Sequence, residues 1–262
     1  MNKLVAALVL SGLATGSTLS LAADAPASPH TLTGNFGLTT DYVFRGISQT
    51  QHKPAVSGGF DYSHTSGLYA GAWLSNQSWV ATGGTNALND AGYKSGSSLE
   101  MDLYGGYKGA AGDFGYDLGA IHYYYPGDKV AGQVSPDTTE AYVAGSWKTV
   151  TLKYSHVISD YFIGWGVLNV TKTKGSNYWE LNATHDLGNG WGVLGHVGKQ
   201  KIKNLAVSNY TDWKVGVTKD VGVGTVTLAY SDTNAKPVTG SYMWDTKDVS
   251  KGVLALSFSK SF

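Results

Sequence analysis

The chain has 262 residues, with 35 glycines, 17 tyrosines, 8 tryptophans and 7 phenylalanines but only 15% charged residues, well below the roughly one quarter usual in soluble proteins. Acidic and basic residues number 19 each, so there is no net charge and no global basic field for nucleic acid. Cysteine is absent, which excludes a disulfide scaffold, a thiolate metal site and a cysteine nucleophile, and the aromatic content excludes a disordered chain.

Residues 1–22 carry one early charge, Lys3, an apolar run from Leu4 to Leu10, and small residues at Ser20 and Ala22. This is the pattern of a cleavable Sec signal peptide, followed by a short arm over 23–30. Beyond it no stretch reaches the roughly 18 to 20 apolar residues of a spanning helix. An exported chain of this kind enters a membrane only as strands.

From 31 to 262 the pattern alternates with period two. Over 31–45, Leu32, Phe36, Leu38, Tyr42 and Phe44 share one face, and Thr33, Asn35, Thr39, Asp41 and Arg45 share the other. The same reading predicts strands over 54–64, 68–77, 97–108, 113–125, 137–147, 150–159, 176–187, 191–200, 209–219, 224–233 and 250–262. Short turns at 65–67, 109–112, 148–149, 188–190 and 220–223 alternate with longer segments at 46–53, 78–96, 126–136, 160–175, 201–208 and 234–249. The expected fold is therefore all-β, a transmembrane antiparallel up-and-down barrel of about twelve strands, with short periplasmic turns and long extracellular loops. The prolines fit, since Pro54, Pro126, Pro136 and Pro237 fall at strand edges or in loops.

Charge decides the facing. Glu100 and Asp102 alternate with Leu99, Met101 and Leu103, and Glu180 and Asn182 with Trp179, Leu181 and Ala183, so the apolar parity faces lipid. Tyr42, Phe44, Tyr62, Tyr107, Tyr124, Trp147, Trp179, Trp191 and Tyr230 lie near strand ends, where interfacial girdles belong. Leu254, Leu256 and Phe258 alternate toward Phe262, which resembles the signal read by the outer-membrane barrel assembly machinery; Lys260 departs from it.

The segments DYVFRGISQT (41–50), KPAVSGGFDYSHTSGLYAGAW (53–73), LEMDLYGGY (99–107) and YYYPG (123–127), continued at 140–142 and in HVG (196–198), resemble the TorF-type porin family of proteobacterial outer-membrane proteins. The resemblance covers essentially the whole chain after the expected leader, 23–262, and implies an outer-membrane barrel presumed to conduct small solutes.

The lumen parity collects Asp41, Asp61, Glu100, Asp102, Asp117, Glu140, Glu180 and Asp212 against Arg45, Lys153 and Lys214, an acidic interior inside a neutral chain. Arg45, the only arginine, is expected at the height of Glu100, Asp102, Glu140, Glu180 and Asp212, near the extracellular mouth, opposing the acids across a constriction, forking onto neighbouring carboxylates such as Glu100 or Glu140 to close the interior, or both. Tyr69, Trp73, Tyr104 and Tyr142 are expected to fill the lumen rather than form a stacking path. No histidine pair has HExxH spacing, and His196 is the best lumen candidate among the seven. GGTN (83–86) and GAAG (109–112) lack the strand-to-helix context of a phosphate cradle.

These features predict a porin-like channel for passive, weakly cation-preferring diffusion of small hydrophilic solutes, with no cofactor, no metal and no catalytic site. The alternatives are a structural or adhesive barrel with a side-chain-closed lumen, and an outer-membrane hydrolase built on Asp212, His196 and a serine.

Overall fold

The computed structural model describes residues 28–82, 97–127, 135–165, 171–239 and 242–262. The expected leader over 1–22, most of the arm over 23–30 and the GGTN run lie outside the described residues. Twelve strands form the wall: β1 (His30–Thr39), β4 (Ala55–His64), β5 (Leu68–Asn76), β6 (Leu99–Ala111), β7 (Phe114–Tyr124), β8 (Thr138–Trp147), β9 (Val150–Val157), β10 (Asn177–Gly188), β11 (Trp191–Lys201), β12 (Tyr210–Asp220), β13 (Thr225–Thr233) and β16 (Val253–Ser261). Two hairpins lie between them in sequence, β2 (Val43–Phe44) with β3 (Ile47–Ser48), and β14 (Met243–Trp244) with β15 (Lys247–Asp248).

Each wall strand pairs antiparallel with its neighbours in the chain, and β1 pairs with β16 to close the ring. Closure leaves no edge with unpaired backbone groups, the condition for strands to cross a bilayer. Leu38, Phe60, Leu103, Leu118, Leu181, Val215 and Leu256, on seven strands around the wall, are all exposed. An apolar band of this extent is solvated by hydrocarbon rather than water. Tyr62, Tyr107, Phe114, Trp147 and Trp191 rim it at the turn end, and Tyr124, Trp179, Trp213 and Tyr230 at the loop end.

The first strand is shorter than its alternation predicts. It stops at Thr39, and Asp41 to Thr50 leave the sheet to fold as the β2–β3 hairpin. Tyr42 and Phe44 are therefore not girdle residues: Tyr42 donates to Glu100 and Phe44 packs edge-on against Tyr123.

The two hairpins are built alike, 200 residues apart. Each has two tip residues in the left-handed region, Arg45 (φ 47°) and Gly46 (φ 78°), then Asp245 (φ 49°) and Thr246 (φ 71°), as a two-residue type I′ turn requires. Each is closed by the same bond, Gln49 N–H to the Tyr42 carbonyl at 2.7 Å and Val249 N–H to the Tyr242 carbonyl at 3.0 Å. They touch where Ser48 N–H donates to the Val249 carbonyl and the Gln51 amide to the Trp244 carbonyl. With Tyr161 and Phe162 from a neighbouring loop and Trp79 from the one-turn helix α1 (Trp79–Thr82) they pack apolar clusters at the loop end of the barrel.

Candidate functional site

The lumen is filled from the loop end by the β2–β3 hairpin. Asp41 holds its base: Oδ1 accepts from the Ser48 hydroxyl at 2.6 Å and the Thr50 hydroxyl at 3.1 Å, and Oδ2 lies 2.8 Å from His52 Nδ1. Gly46 is required at the tip, because its Cα sits so close to Asp212 and Thr233 that a Cβ would overlap both.

Arg45 reaches across from that tip. Its guanidinium forks onto Glu140, with Nη1 to Oε1 at 3.0 Å and Nη2 to Oε2 at 2.7 Å, and Nη1 also donates to Gln200 Oε1 at 3.0 Å. The Tyr178 ring lies under it at 4.3 Å and Phe44 at 4.8 Å. Glu140 and Gln200 are fully buried and Arg45 is 7% exposed, so the fork is shut off from solvent. The expectation of Arg45 on the first barrel strand is corrected: it stands on an inserted turn, and the strand parity that placed it is a coincidence of spacing. The fork onto Glu140 is present in the geometry, and it is compatible with a place at a constriction.

The other predicted residues gather round this latch. Glu100 accepts from Tyr42 at 2.6 Å, and Asp102 lies opposite Trp73 in register, with Asp102 Oδ1 and Trp73 Nε1 buried and unpartnered. Asp212 accepts from Tyr178 at 2.9 Å and lies 2.8 Å from His196 Nε2, while His196 Nδ1 lies 2.7 Å from Asn182 Oδ1. The Asn182 amide donates to Glu180 at 2.9 Å, and Lys153 reaches Glu180 at 3.8 Å. Lys214 pairs in register with His196 and faces the same interior.

Toward the turn end the lumen is less tightly filled. Tyr104 donates to Asp61 at 2.5 Å, Tyr69 donates to Asp117 at 2.6 Å and meets the Tyr142 hydroxyl, and Lys153 stands over the Tyr142 ring at 4.5 Å. These tyrosines lie flat across glycines of adjacent strands, Tyr104 on Gly71 and Tyr142 on Gly119, where any side chain would collide with the ring. They fill space, as expected. Lys108, over the Tyr69 ring at 5.2 Å, shares the inward parity of Asp102 and Tyr104 and adds a base to Arg45, Lys153 and Lys214. Among the described residues no three His, Asp or Glu side chains converge as a metal site.

The family model described as a bacterial protein of unknown function (Gcw_chp) matches residues 23–262. That description carries no porin name, so the TorF-type resemblance is not confirmed by it. No curated protein matches the chain. Among solved structures, a KdgM porin in complex with disordered oligogalacturonate matches at 7% identity and TM-score 0.49, over 88% of this chain and 98% of that one. An outer membrane channel from Pseudomonas putida F1 matches at 12% identity and TM-score 0.46, over 92% and 100%. OprD from Pseudomonas aeruginosa matches at 14% identity and TM-score 0.40, over 90% and 67%.

Proposed function

As a member of the Gcw_chp family of bacterial proteins of unknown function, the chain is, we propose, an outer-membrane porin-like channel for small hydrophilic solutes, held shut at its loop end by the Arg45 hairpin. The observation that carries this reading is the combination of a closed twelve-strand wall, apolar outside and charged inside, with one inserted turn whose guanidinium forks onto Glu140 on the opposite wall and is buried there. The wall is held by continuous strand pairing, whereas the hairpin is outside that sheet and is held by side-chain contacts and loop hydrogen bonds, so it is the element that can withdraw while the ring stays closed. Passage is passive and weakly cation-preferring, because Glu100, Asp102, Glu180 and Asp212 outnumber the bases that remain once Arg45 withdraws. A hydrolase is not favoured: both nitrogens of His196 already face oxygens of Asn182 and Asp212, leaving no base for a serine.

Planar-bilayer recording tests this. Wild type should show rare discrete openings, and Arg45→Gln should raise open probability at least tenfold. Silence of both proteins, each verified as a heat-modifiable barrel, would favour a closed structural or adhesive barrel, the reading supported by the complete burial of Glu140 and Gln200.

A further inference from the structure

The outer face of β11 changes character along its length. Trp191, Val193 and Val197 are apolar, and the same outward parity then continues as Lys199 and Lys201 at the loop end. Lys199 is the register partner of Trp179, an exposed tryptophan whose ring lies 4.6 Å from that of Tyr154. Tryptophan at a strand end marks the level of lipid headgroups, so the ammonium of Lys199 stands at that level and Lys201 just above it.

Two loops add to this sector. Lys203 donates its backbone N–H to the Ser176 hydroxyl at 2.9 Å, and the Asn204 amide donates to the Lys172 carbonyl at 2.9 Å, which ties the segment after β11 to the segment before β10. Lys174 is fixed beside them by its N–H to the Asp160 carbonyl at 3.0 Å. Five exposed lysines thus share one side of the loop-end rim. Their countercharge is Asp160, which pairs with Lys172 at 2.9 Å and whose carboxyl that hydrogen bond holds below its ordinary value. Among the described residues no carboxylate lies in ion-pair distance of Lys174, Lys199, Lys201 or Lys203. At the turn end of the same strands Lys219 stands with the exposed carboxylates Asp186 and Asp220, so no comparable lysine excess forms there.

We propose that this lysine rim binds phosphorylated headgroups of glycolipid in the leaflet that faces the long loops. Charge complementarity and position select that partner: the ammonium groups are mobile point charges in the plane of headgroups, beside an aromatic belt, where a phosphate is held against the barrel by its own acyl chains. The inference rests on the outer-membrane placement proposed above.

The test uses the full barrel refolded in neutral phosphatidylcholine, with heat-modifiability checked first; failure to insert would count against the membrane reading itself. Native mass spectrometry then measures bound lipid A, a glycolipid bearing two phosphates, against its dephosphorylated form. Wild type should retain the phosphorylated lipid at least tenfold better. The variant Lys199→Gln/Lys201→Gln/Lys203→Gln should lose most of that preference, while Lys219→Gln/Lys260→Gln, at the turn end, should keep it. Equal retention of both lipids by wild type, or an unchanged preference in the triple variant, would overturn the proposal even with the barrel correctly inserted.

Discussion

Arg45 and Glu140 are 95 residues apart in sequence and meet through two hydrogen bonds of 3.0 and 2.7 Å inside the loop-end lumen. Both are buried, so each is the main compensation for the other's lost hydration. Removing one partner strands the other: Arg45→Gln or Glu140→Gln should each cost about 3–5 kcal/mol if the hairpin stays inserted. Exchanging both for apolar groups, Arg45→Met with Glu140→Leu, should recover most of that loss. Urea refolding titrations of the three variants check this. Additive losses in the double variant would show that the pair does not couple.

Facing along β10 gives a second outcome. Leu181 is 43% exposed on the apolar wall, while Thr184 falls on the opposite parity with Asn182 and Glu180. Leu181→Arg should destabilise by about 2–4 kcal/mol, the penalty for a cation on the lipid face near mid-bilayer, and Thr184→Arg by far less. Equal losses in a refolding titration would reverse the facing of this strand.

The twelve wall strands are legible in the sequence because each one turns one parity inward and the other to lipid, and because turn and loop lengths alternate. The hairpin is not legible in the same way. Tyr42 and Phe44 happen to continue the apolar parity of Phe36 and Leu38, and a two-residue strand is too short to show any period. Its signal lies in turn chemistry: Arg45-Gly46 is a two-residue turn with glycine second, and Asp41 is followed by Ser48 and Thr50, the hydroxyls it binds. The acidic cluster is legible from parity alone, since Glu100, Glu140, Glu180 and Asp212 all face inward and are buried. Lys108 has the same inward parity but is the last residue of the expected strand over 97–108, where a lysine reads as a strand-end charge; β6 runs on to Ala111, which puts it inside the wall.

Closure of the ring depends on the end of β16. Phe262 N–H donates to the Gly34 carbonyl at 3.0 Å, Gly34 N–H donates to the Phe262 carbonyl at 2.8 Å, and the Phe262 ring lies over Gly34. Deleting Phe262 removes both bonds, each worth about 1 kcal/mol, and uncovers the β1–β16 seam. The amount of heat-modifiable barrel in outer membranes should fall. Normal assembly after the deletion would show that the seam and the assembly machinery do without this residue.

On the proposed reading, selectivity would follow from what remains in the lumen once the hairpin leaves. Withdrawal of β2–β3 would take Asp41 and Arg45 with it, leaving Asp61, Glu100, Asp102, Asp117, Glu140, Glu180 and Asp212 against Lys108, Lys153 and Lys214. A surplus of carboxylates in a narrow interior concentrates cations and repels anions, although screening over about 8 Å at physiological salt limits the effect. Lys153 already offsets part of it by pairing with Glu180 at 3.8 Å. Reversal potentials in a KCl gradient should therefore show a modest preference for K⁺ over Cl⁻. Replacing Glu100 and Glu180 with Gln should move the potential toward zero; Glu140 is left in place because its loss would also free Arg45. An anion-selective wild type would contradict the lumen assignment, and a cation preference unchanged by the double replacement would put the selective region toward Asp61 and Asp117, at the turn end.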